Sequence, residues 1–272
     1  MGAQTAGVLL VTIFVAIFFG FTAGMSIALS DSGAMDAMTM TDELVLLTEE
    51  NLMIISLIAS FACFAAFFPM WLETRKRIEP RRNKAPAVVG LFTTGMFIGA
   101  NLLLVSILNM IDVTMYFPDY IEVMEDMFTG SILMQVLVIG IAAPVIEELC
   151  FRGILMSRML WLPTWASILI QGVIFGVIHL NMLQGMYAFL IGLVFGWIYI
   201  KYRSITLAII AHMAFNLTSI ILPEIVADPP LIPIMLASIV IVGACAVPLI
   251  ILPHAKVKDT EPTDTVLPIA AQ

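Results

Sequence analysis

Ala87-Val-Val-Gly-Leu-Phe-Thr-Thr-Gly-Met-Phe-Ile-Gly-Ala-Asn-Leu-Leu-Leu-Val-Ser-Ile-Leu-Asn-Met-Ile111 contains no charged residue. Wound as a helix it would be about 37 Å long, more than the roughly 30 Å of a bilayer's hydrocarbon core. Pro86 precedes the run and Asp112 ends it. Seven more apolar runs of this kind lie along the chain, so that 6–29, 51–72, 87–111, 131–160, 164–180, 186–200, 205–222 and 231–252 read as spans. The fold class that follows is an all-α membrane protein, a bundle of eight transmembrane helices. Composition agrees: 61% of the 272 residues are hydrophobic and 12% are charged, whereas soluble domains carry about 25% charged residues.

The segments between runs alternate in charge. Asp31, Asp36, Asp42, Glu43, Glu49 and Glu50 precede the second run, and Arg75, Lys76, Arg77, Arg81, Arg82 and Lys84 follow it. Segment 112–130 is again acidic, with no base. Arg152 and Arg158, Lys201 and Arg203, and Lys256 and Lys258 close the fourth, sixth and eighth runs. All twelve bases then fall on one side of an alternating eight-span chain, and that side is cytoplasmic by the positive-inside rule. Both termini are expected to face the cytoplasm. Residues 1–272 read as one transmembrane domain, ending in a disordered cytoplasmic tail at 253–272. The first run lacks a basic n-region and is longer than a secretory h-region, so it reads as a retained span. The aromatics Tyr116, Phe117, Tyr120 and Phe128 among the acids of 113–128 fit either an interfacial helix or an ordinary loop.

A net charge of −8 with no basic patch argues against nucleic acid as a partner; the partner that composition demands is the bilayer. Cys63, Cys150 and Cys245 lie inside apolar runs with no close spacing. They give neither a disulfide framework nor a zinc pair, and read as small core hydrophobes.

Ionisable groups inside spans are costly and mark function by default. Three clusters stand out: Glu147, Glu148 and Arg152; Phe175 with His179; His212 with Asn216. Glu148 and Arg152 are four residues apart and can pair, which leaves Glu147, about 100° around the helix, free. His212 and Asn216 also share a face. Pro144 has no N–H and frees a helix carbonyl, at Gly140 in α-helical register. Runs four and five read as a hairpin turning at Trp161–Thr164, whose midpoint, Pro163, places Glu147 and His179 at one level. His212 lies about 12 Å in from Ser204, but Glu147 lies about 24 Å from the turn. The levels match only if the hairpin tip projects beyond the membrane surface.

A carboxylate and two imidazoles in a low-dielectric pocket suit water activation, and a His and an Asn amide can donate to a developing oxyanion. Two His and one Glu are equally a zinc donor set.

Glu147-Glu148-Leu-Cys-Phe-Arg152, Phe175-Gly-Val-Ile-His179 and His212-Met-Ala-Phe-Asn216, in this order on three helices, resemble the motifs of the CPBP family. That family includes type II CAAX prenyl endopeptidases (Ras-converting enzymes) and bacteriocin-processing or immunity proteins. The resemblance covers 131–222, the motif-bearing core. It implies an intramembrane endopeptidase open to the cytoplasm, acting on a peptide or protein substrate of a class that includes lipid-modified chains. It further implies Glu147 as general base with His179 its partner, His212 and Asn216 as the oxyanion site, and Glu148, Arg152 and Phe175 in support. No cofactor is favoured, because an Asn beside His212 suits hydrogen bonding better than metal ligation. The zinc alternative would use Glu147, His179 and His212. A proton-coupled transporter would need similar buried groups, but no second half echoes 147–216. A non-catalytic immunity or scaffold protein is the other rival, and it would tolerate loss of Glu147.

Overall fold

The computed structural model describes residues 42–78, 87–111, parts of 113–128, 131–159, 161–226 and 230–252. The expected span at 6–29 and the tail at 253–272 lie outside the described residues. All regular structure among the described residues is helical. In chain order the helices are α1 (Asp42–Ile78), α2 (Ala87–Met110), α3 (Ile132–Met156), α4 (Thr164–Val177), α5 (Met182–Tyr202), α6 (Ile205–Ile225) and α7 (Leu231–Ile251). Six of the seven are long and apolar enough to cross a membrane; in α1 the qualifying stretch is Ser56–Thr74.

Three expectations need correction. The second expected span, read from 51, belongs to a longer helix, because α1 begins at Asp42 and runs unbroken to Ile78. The fifth expected span is a helix of 14 residues, about 21 Å long, too short to cross. It ends because the chain turns through Leu180, at φ 55°, into Asn181, whose side chain accepts from the Gln184 N–H and starts α5. Helix α5 accordingly begins at Met182, one turn earlier than read from the sequence. A second tight turn joins α5 to α6: Arg203, at φ 49°, closes one helix and Ser204 caps the next, its hydroxyl accepting from Leu207 N–H.

Helices α4 and α5 pack backbone to backbone. A Cβ on Gly176 would stand 2.6 Å from the carbonyl oxygen of Gly185, and one on Gly185 would stand 2.9 Å from that of Gly176. Small residues permit this approach, and van der Waals packing holds it where lipid supplies no hydrophobic drive. Helix α2 lies against α6 and α7. One core gathers Phe151, Ile154, Met156 and Phe175 around α3; a second gathers Phe97, Phe195, Ile198 and Phe215 between α2, α5 and α6. Ile239, Val240, Val247, Ile250 and Ile251 of α7 stay exposed, a surface suited to lipid.

Cross-links align the helix ends. Thr74 Oγ1 donates to Gly153 O, bringing the last turn of α1 beside the last turn of α3. Lys201 Nζ donates to Leu249 O and Ile250 O, and Tyr202 Oη also donates to Leu249 O, so α5 and α7 end together. Lys201 is therefore a buried C-terminal cap that lies over the Trp197 ring at 5.0 Å. Arg152 is wholly buried. Neither residue is a loop charge, and the positive-inside count rests on the remaining bases.

The segment after α2 forms one helical turn, Val113–Tyr116. Val113 and Tyr120 are buried against Leu183, and the Tyr120 ring meets Tyr187 edge-on, so this segment covers the start of α5.

Candidate active site

Helix α3 is not uniform. A six-residue α-helical piece, Ala143–Glu148, stands between two π-helical stretches, Val136–Ala142 and Leu149–Met156. Such wide turns are rare, and they frequently lie at functional sites. Glu147 and Glu148 end the α-helical piece, 7% and 0% exposed.

Arg152 follows one turn later. Its Nη1 donates to Glu148 Oε1 at 2.8 Å and its Nη2 to Gly192 O at 3.2 Å. The guanidinium lies 4.6 Å from the centre of the Phe175 ring and 5.1 Å from that of Phe195. Gln171 Nε2 donates to the same Gly192 carbonyl at 2.7 Å. A buried charge pair needs such added hydrogen bonds to offset desolvation.

His212 enters from α6 between the two glutamates. Its Nδ1 is 2.9 Å from Glu148 Oε1, and its Nε2 is 3.6 Å from Glu147 Oε2, just beyond hydrogen-bond range. Glu148 Oε1 thus accepts from both Arg152 and His212. The rings of Phe195, at 4.8 Å, and Phe175, at 5.9 Å, fix the imidazole plane.

His179 stands in the turn after α4. Its Nδ1 is 2.7 Å from Phe175 O. A carbonyl only accepts, so Nδ1 carries the proton and Nε2 presents its lone pair. Phe175 touches Phe151, His179, His212 and Arg152, and so anchors the site's second and third motifs to the first. Phe151 faces Phe175, and Ser167 Oγ donates to Met159 O. Both pairs have the sequence midpoint 163, the hairpin register expected from the sequence, and 147 and 179 share it.

Asn216, one turn beyond His212, donates from Nδ2 to Ile139 O at 2.9 Å. The Ala143 N–H bonds to Val138 O and Pro144 has no N–H, so neither of the nearest intrahelical donors serves Ile139 O.

The seven residues picked from sequence thus divide. Glu147, Glu148, Arg152, Phe175 and His212 form one contiguous array, with His179 joined to it through Phe175 and Asn216 anchored to α3 one turn before Pro144. No hydrogen bond joins Glu147 to His179; the imidazole beside Glu147 is that of His212. Among the described residues no three His, Cys, Asp or Glu side chains form a group that could hold a metal ion. The residues of the zinc alternative, Glu147, His179 and His212, form no such group there. Sequence reasoning passed over Gln171, Gly192 and Phe195. Gln171 carried a signal: it is an amide in an apolar run, four residues before Phe175. Gly192 acts through its backbone and Phe195 through its ring, and neither departs from the apolar pattern around it.

Residues 129–218 match the family of type II CAAX prenyl endopeptidase Rce1-like proteins. This segment is similar to that family, and it contains every residue of the array just described. No curated protein and no solved structure matches the chain significantly.

Proposed function

We propose that the chain is an intramembrane endopeptidase that hydrolyses a peptide bond by glutamate-activated water, without a metal. The observation that carries this reading is the buried array of Glu147, His212, Glu148 and Arg152 inside the Rce1-like segment. Glu147 is the one carboxylate in it with no hydrogen bond to Arg152 or His212, and it takes a proton from water. His179, with its Nε2 lone pair exposed by the Phe175 bond, helps orient that water. As the water oxygen bonds to the scissile carbonyl carbon, charge grows on the carbonyl oxygen. Asn216 has a second N–H beyond the one held by Ile139 and can donate there. For His212 to donate through Nε2, both its nitrogens must carry protons.

The site opens to the cytoplasm in this reading, and both termini lie there. The common level of the α1 and α3 ends, and of the α5 and α7 ends, supports a parallel course within each of these pairs, as that orientation requires. The substrate is a membrane-associated chain, and prenylated C-termini are the first class to test. The test is mass-spectrometric cleavage of mixed prenylated and unmodified peptides by detergent-purified protein, wild type beside Glu147→Ala. Cleavage by the wild type alone is expected, and its cut sites name the substrate class. Cleavage by both would remove Glu147 as base; cleavage by neither would favour a binding or immunity role.

A further inference from the structure

We infer that Pro144 is a positioning residue, which by lacking an N–H reserves the Ile139 carbonyl to hold Asn216 in place. This rests on the reading of Asn216 as an oxyanion donor, and it concerns how that amide is aimed.

The hydrogen-bond ladder of α3 leaves the Ile139 carbonyl open beside α6. Ile139 O has two intrahelical donors within reach, four and five residues on. Ala143, the first, is engaged with Val138 O. Pro144, the second, has no proton to give. Deep in a membrane protein a carbonyl without a donor is costly, and Asn216 Nδ2 supplies the bond across the α3–α6 interface at 2.9 Å. The bond works in both directions. Because a carbonyl only accepts, it decides which end of the amide faces α3, so the second N–H of Nδ2 and the Oδ1 take fixed directions. Pro144 lies three residues before Glu147, on the same short α-helical piece. The base and the amide donor are thereby referenced to one rigid segment.

Restoring an N–H at position 144 gives Ile139 O an internal partner and releases Asn216. The test separates the missing proton from the proline ring. Pro144→Ala adds the N–H. Pro144→lactate, introduced by nonsense suppression, has the same methyl group but an ester oxygen in place of the N–H. In detergent-purified protein, Asn216→Ala is expected to lower the melting temperature of the wild type by about 2–4 °C, the shift for loss of one such bond. The same change should have little effect in the Pro144→Ala background and should regain its effect in the Pro144→lactate background. Equal effects of Asn216→Ala in all three backgrounds would overturn the inference, and this readout needs no substrate. With a cleaved peptide in hand, Pro144→Ala should lower kcat roughly 10–100-fold with KM little changed, and the lactate variant should restore it. Loss of kcat in both variants alike would assign Pro144 to backbone shape instead. An inactive wild type that still shows the melting coupling would sink the peptidase reading and leave the positioning intact.

Discussion

Glu148 Oε1 receives Arg152 and His212 together, in a place with no solvent exposure. Removing either donor leaves a buried carboxylate short of a partner, and removing the guanidinium is far more costly than never having placed the pair. Arg152→Ala is therefore expected to destabilise the protein by about 3–5 kcal/mol, read as a lowered detergent melting temperature. The Glu148→Gln, Arg152→Met double variant should recover part of that loss, because both charges go together. Glu147→Gln makes the contrast. Glu147 holds no hydrogen bond to its neighbours, so its amide should fold with a melting temperature close to wild type while peptide cleavage is lost. An equal loss of stability in Glu147→Gln and Arg152→Ala would mean that the two carboxylates share one structural role. At this scale the sequence was informative, since charges in apolar runs announce themselves. What it did not reveal was partnership: helical spacing finds Glu148 with Arg152, but only packing between helices brings His212 to both glutamates.

The elements that carry these groups were harder to read. The limits of α2, α6 and α7 follow from hydrophobic length and the polar residues beside it, and the sequence reading came close to them. The short α4 and the two π-helical stretches did not follow. Apolar runs look alike whether the chain crosses or turns back, and Leu180 gives no warning that it adopts a left-handed turn. The π-helical stretches depend on neighbours, and Pro144 is their single local mark. The α4–α5 hairpin makes a testable element in its own right. Gly176→Val places a branched side chain where a single Cβ would already stand 2.6 Å from a backbone oxygen. Overpacking of this kind costs about 1–3 kcal/mol, and here the strain falls one turn from His179. The variant is expected to melt lower and to lose activity in larger proportion than its lost stability explains. Val177→Ala, at a side chain 66% exposed on the outer face of the same helix, should change neither. Matching effects of the two would detach the hairpin packing from the site.

At the scale of the whole molecule, paired helix ends and exposed apolar faces describe one multi-pass bundle. Its site lies between α3, α4 and α6, and the connecting segments lie at its two ends. Which end faces the cytoplasm is a matter of charge, and Arg152 and Lys201 drop out of that count because both are buried. The orientation then rests on Arg75 to Lys84, Arg158, Arg203 and the tail lysines, set against the acids of 31–50 and 112–126. That remains a strong bias, since positive charge close to span ends is what resists translocation. The native thiols barely interfere with a labelling test, because Cys63 and Cys150 are buried and Cys245 is partly so. Cysteines placed singly at Trp161, 60% exposed at the α3–α4 tip, and at Met115, 72% exposed beyond α2, should report opposite sides. A membrane-impermeant maleimide added to intact cells is expected to label position 115 and spare 161 until the membrane is opened. The reverse pattern would invert the bundle and turn the site away from the cytoplasm. Labelling of both from one side would break the alternation, and with it the argument that the α1 and α3 ends, joined through Thr74 and Gly153, share a face with the α5 and α7 ends.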